Sequence, residues 1–137
     1  MSELKNYLSQ TFALGKHIFE LSQEIEFLRH KLTSPSSGGH CGLGVQRSKQ
    51  RTPSENLLIK ILHTEEELEK TKTLLLNIET QIRQKIQLLS PAQRAIITLR
   101  YICRRMWHDI AKDAQMSEMQ VMRLHNAALK EMQLHCS

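Results

Sequence analysis

Apolar positions fall into helical periods along most of the chain. Leu4, Tyr7, Thr11, Leu14, Ile18, Leu21, Ile25, Leu28 and Leu32 follow alternating steps of three and four. That is the two-per-seven stripe of a coiled-coil helix. Gly15 weakens it locally, by about 1 kcal/mol relative to Ala. A second stripe, Ile61, Leu68, Leu75, Ile82 and Leu89, recurs every seven residues and is widened by Leu57, Leu58, Leu62, Ile78 and Ile86. Its alternate positions include Thr64, Thr71 and Lys85, so this seam is less pure. Between the stripes, residues 33–52 lose all periodicity and hold four of the five glycines, which predicts a flexible link.

Local signals mark where helices begin. Thr52-Pro53-Ser54-Glu55 is a capping box with Pro at the first helical position. The helix it opens is expected over about 53–89, roughly 50 Å at 1.5 Å per residue. Ser90-Pro91-Ala92-Gln93 repeats the device and predicts a helix to about Ile102. Cys103-Arg104-Arg105-Met106 interrupts it. A short helix is expected over Trp107 to Ala114, and another from Ser117, as N-cap, to about Leu134. The expected fold is therefore all-α. A long antiparallel helical hairpin (a coiled coil) over 1–89 precedes a C-terminal three-helix, helix-turn-helix domain over 90–137. Leftover apolar surface on the hairpin predicts a homodimer.

Composition narrows the function classes. A chain of 137 residues has room for one modest core. No run of apolar residues approaches a membrane span, and the first residues lack the continuous apolar stretch of a signal peptide. Three widely spaced cysteines without a CxxC pair suggest free thiols in a reducing cytoplasm. The sequence lacks GxSxG, HExxH and paired-carboxylate motifs, so it is not expected to be an enzyme. His40-Cys41 has no second ligand pair at zinc-finger spacing, so neither metal nor cofactor is expected. The net charge is +5. Residues 90–137 hold seven Lys/Arg against four Asp/Glu, which permits nucleic-acid binding. Arg47, Lys49 and Arg51 make the second half of the link basic.

The last two predicted helices carry the most specific signal. Trp107, Ile110, Ala111, Val121, Leu124 and Ala128 are spaced as the shared core of two helices crossing steeply, with small Ala111 at the close approach and Met116 in the turn. The opposite face of the last helix holds Met119, Met122, Arg123 and Asn126, flanked by Glu118 and Gln120. These six are the candidate base contacts in a major groove. Arg104, Arg105, Lys112 and Lys130 are the candidate phosphate contacts.

Ser90-Pro91-Ala92-Gln93-Arg94, Leu99-Arg100-Tyr101, Trp107-His108-Asp109-Ile110-Ala111, Ser117, Gln120-Val121, Leu124-His125 and Ala128-Leu129-Lys130 resemble region four of bacterial sigma factors. The likeness covers about a third of the chain. Together with the coiled-coil front end, it is similar to small phage and prophage regulators of the ArpU/RinA late-transcription type. The resemblance implies binding to double-stranded DNA, contact with RNA polymerase, and control of phage or mobile-element genes. Two positions depart from the pattern. Gln115 stands where the turn usually has Gly, and Met106 where a Ser or Thr cap is usual. Two other readings compete: a protein-interaction module without sequence-specific DNA readout, and a small terminase-like packaging subunit.

Overall fold

The structure, a computed structural model, describes residues 2–34 and 52–136. The glycine-rich stretch, His40-Cys41 and the Arg47/Lys49/Arg51 run lie outside the described residues. All regular elements among them are helical. Helix α1 spans Ser2–Thr33 and α2 spans Pro53–Lys85. A short 3-10 turn, Ile86–Leu88, follows α2. Helix α3, Pro91–Ile97, runs into a π turn at Thr98–Ile102. Helices α4, Trp107–Ala114, and α5, Glu118–Cys136, complete the chain.

The expected α2 extended to Leu89, yet regular α geometry stops at Lys85. Leu89 is already extended (φ −80°, ψ 159°), as is Ser90 (φ −62°, ψ 158°). Pro91 disfavours helical backbone in the residue before it, so the break is set locally.

The first heptad stripe is buried as its spacing requires. Leu21, Ile25 and Leu28 are buried, and Leu14, Ile18 and Leu32 are half-buried. The impure second seam works because its threonines bond within their own helix. Thr64 Oγ1 donates to the Lys60 carbonyl and Thr71 Oγ1 to the Glu67 carbonyl, each at 2.8 Å. Thr11 does the same with the Leu8 carbonyl at 3.0 Å. A buried hydroxyl satisfied in this way leaves its methyl to pack. Leu58 and Leu62, expected to widen the stripe, are exposed instead.

Two compact units are present, Met1–Gly15 with Thr73–Ser137, and Lys16–Lys72. Both long helices contribute to each. Within the second unit the helices are antiparallel partners, joined by the Arg29–Glu65 ion pair and by His17 and Glu67 at 3.7 Å. The sequence placed the boundary at 89/90; the units divide at 15/16 and 72/73. The reason is a shared core in the first unit. Leu8 of α1 and Ile78, Ile82 and Ile86 around the end of α2 are buried with Ile97, Tyr101, Leu129 and Met132. Burial of each such side chain is worth roughly 1.5–3 kcal/mol, so the helix ends and the C-terminal helices are held together.

Candidate nucleic-acid interface

Three local devices shape the C-terminal helices α3 to α5. Ser90 caps α3 through a reciprocal box with Gln93. At the end of α4 the chain makes a Schellman closure. The Met116 N–H donates to the Ala111 carbonyl at 3.0 Å, and the Gln115 N–H to the Lys112 carbonyl at 3.3 Å. This closure puts Gln115 in the left-handed region (φ 57°, ψ 42°), where the sequence placed the departure from Gly. Helix α5 then begins with a second reciprocal box. The Gln120 N–H donates to Ser117 Oγ, and the Ser117 N–H to Gln120 Oε1, both at 3.1 Å. Met106, at the N-cap of α4, makes no side-chain cap bond.

Ile110, Ala111 and Val121 are buried together with Ile96 of α3, and Trp107, Met116 and Leu124 pack around them. Ala128 is also fully buried, but it joins the core shared with the helix ends. His125, named in the sequence only as part of the sigma-like likeness and not as a core residue, lies among the aromatic residues. It is fully buried; Tyr101 Oη sits 2.7 Å from its Nε2, and its ring meets Trp107 edge-on at 4.7 Å between centroids. Burial lowers the His125 pKa from its usual 6.5; a hydrogen bond with the Asn126 side chain works against this, and the charges of Lys5 and Arg100 push the same way as burial. Burial raises that of the Tyr101 phenol. The position of His125 on the α5 face that carries Val121, Ala128 and Met132 was the available signal.

The opposite face of α5 is open. Met119, Arg123, Asn126 and Lys130 sit at i, i+4, i+7 and i+11, which forms one stripe, and all four are exposed. Arg123 Nη2 lies 3.6 Å from the Met119 sulfur. Glu118 is exposed beside the stripe, with His108 Nδ1 at 3.6 Å. Gln120 is exposed, although its Oε1 serves the helix cap. Met122 is half-buried.

The four candidate phosphate residues divide. Lys112 and Lys130 are exposed. Arg105 is ion-paired with Asp113, and Arg104 Nη1 lies 3.1 Å from Glu79 Oε2. Among the described residues no cluster of three or more His, Cys, Asp or Glu could hold a metal ion. No helix there is long and apolar enough to cross a membrane.

Residues 19–133 match a protein family described as Protein of unknown function (DUF722). The chain belongs to that family. No curated protein and no solved structure matches it. The DUF722 match takes in the second half of α1, all of α2 to α4 and most of α5. The family pattern therefore covers the second half of α1, α2 and the α4–α5 pair together.

Proposed function

We propose that this chain is a DNA-binding transcription regulator that lays α5 in a major groove. One observation carries the reading. The stripe Met119, Arg123, Asn126 and Lys130 stands opposite a face buried through Val121, His125, Ala128 and Met132. A helix held by its back, with guanine- and adenine-compatible groups on its front, suits groove entry. Met119 offers apolar contact to a thymine methyl. Lys112 and Lys130 supply phosphate contacts. The sigma-like residues of this segment add RNA polymerase as a partner, and the long helices add a second copy of the chain.

The test is selection from a random duplex library at about 50 and 200 mM salt. Two phosphate contacts weaken binding about 12-fold between these conditions. Arg123→Ala with Asn126→Ala should abolish the enriched motif while the circular dichroism spectrum stays helical. Failure of the parent protein to bind at either salt overturns the proposal. A second reading, a protein-binding face, gains support from the Arg104–Glu79 and Arg105–Asp113 pairs, which remove two cations from phosphate duty.

A further inference from the structure

Arg104 sits in the loop between the π turn and α4, in left-handed backbone (φ 55°). That conformation is costly for any residue with a Cβ and is ordinarily left to Gly or Asn. The side chain explains why an arginine stands there. Its Nη1 donates to Glu79 Oε2 of α2 at 3.1 Å and to the Ile102 carbonyl at 3.2 Å. Its Nε lies 2.8 Å from where a Cβ on Gly15 of α1 would be. The guanidinium passes over the one position of α1 that has no side chain.

A second arginine holds the same loop. Arg100 lies between two rings, 4.6 Å from the Phe12 centroid and 4.5 Å from that of Trp107, and its Nη1 donates to the Arg105 carbonyl at 2.8 Å. Phe12 and Gly15 are one turn apart on α1, so both arginines reach back to the same stretch of that helix.

We infer that Arg104, through Gly15 and Glu79, is a positioning residue that seats the α4–α5 pair on the middle of α1 and the last turns of α2, and is not a phosphate ligand. Its consequence for DNA rests on the function proposed above; the seating does not. A phosphate would have to displace the Glu79 carboxylate, which is only 15% exposed. The absence of a Cβ at residue 15 serves Arg104, since Gly within a helix is otherwise unfavourable.

The experiment is a set of melting curves on the full chain. Arg104→Ala and Glu79→Ala each lower Tm by about 3–7 °C, and the double variant falls little further. Gly15→Ala separates the seating from a generic ion pair, because the sign of its effect depends on Arg104. Against the parent it lowers Tm or leaves it unchanged. In the Arg104→Ala background it raises Tm by about 3 °C, the helix preference of Ala over Gly. Trp107 is the single tryptophan. Well below the melting temperature, its acrylamide quenching rises in Arg104→Ala and returns towards the parent value in Arg104→Lys. In DNA titrations Arg104→Ala weakens binding without changing the salt slope.

Additive Tm losses, or a Gly15→Ala effect of the same sign in both backgrounds, overturn the seating. So does a salt slope smaller by about 0.9 in Arg104→Ala at unchanged Tm, which marks a phosphate ligand. A parent protein that binds no DNA removes the proposed function but leaves the melting and quenching arms intact.

Discussion

Replacing Gln115 tests the turn between α4 and α5 most directly. The residue is exposed and left-handed, and its side chain makes no hydrogen bond among the described residues. Only the backbone therefore distinguishes substitutions there. A residue with a Cβ pays about 1 kcal/mol to sit in this region, and Gly does not. Unfolding entropy of roughly 2.1 cal/mol/K per residue makes 1 kcal/mol equal to about 3.5 °C for a chain of this length. Gln115→Gly should raise Tm by about 2–4 °C, less whatever the unfolded glycine gains in freedom. Asn tolerates the left-handed region, so Gln115→Asn should fall between Gln and Gly. Gln115→Val, with a branched Cβ, should fall below the parent. Thermal melts followed by far-UV circular dichroism give the ranking Gly, Asn, Gln, Val. If the Gly variant melts no higher than the parent, or the order is scrambled, residue 115 does not carry the Schellman closure and the argument fails.

Other substitutions probe separate parts of the first unit. Met106 is 66% exposed and caps nothing, so Met106→Ser should gain about 0.5–2 kcal/mol in urea unfolding; no gain would mean α4 starts elsewhere. Tyr101→Phe removes the partner of buried His125 and should cost about 1–3 kcal/mol; a neutral result would show that the 2.7 Å contact does not form. Because the folded pKa of His125 lies below its unfolded value near 6.5, the unfolded chain takes up the proton first. This contribution is complete above pH 6.5 and is lost progressively as pH falls towards and through the depressed folded value. His125→Asn should flatten that part of the stability profile, and an unchanged slope would place the titration on another group.

Much of this architecture was legible because it is written locally. The Thr52, Ser90 and Ser117 boxes each span four residues, and each opens a helix where the sequence reading put it. The heptad spacing of α1 identifies its buried stripe without reference to any partner. What escaped depends on residues distant in sequence. Leu58 and Leu62 extend an apolar stripe on a helical wheel, but the width of a stripe does not say how much of it a partner covers. Arg104 and Arg105 look like free cations because Glu79 and Asp113 meet them only after folding. His125 reads as a surface residue by polarity and as a core residue by phase; phase prevailed because Tyr101 satisfies one ring nitrogen. For the candidate interface, spacing identified the exposed stripe, while Gln120 proved to be shared with the helix cap.

The π turn at Thr98–Ile102 gives the chain a place where its length can change. The Cys103 N–H reaches back five residues to the Thr98 carbonyl at 3.0 Å, so this turn contains one residue more than an α turn. Loss of a residue within an ordinary helix rotates everything beyond it by about 100° and takes the buried stripe off the core. Loss of a residue here can be absorbed by closing the turn to α geometry. Single-residue insertions and deletions among relatives should therefore collect in this turn and spare α4 and α5, whose phase against the core allows none.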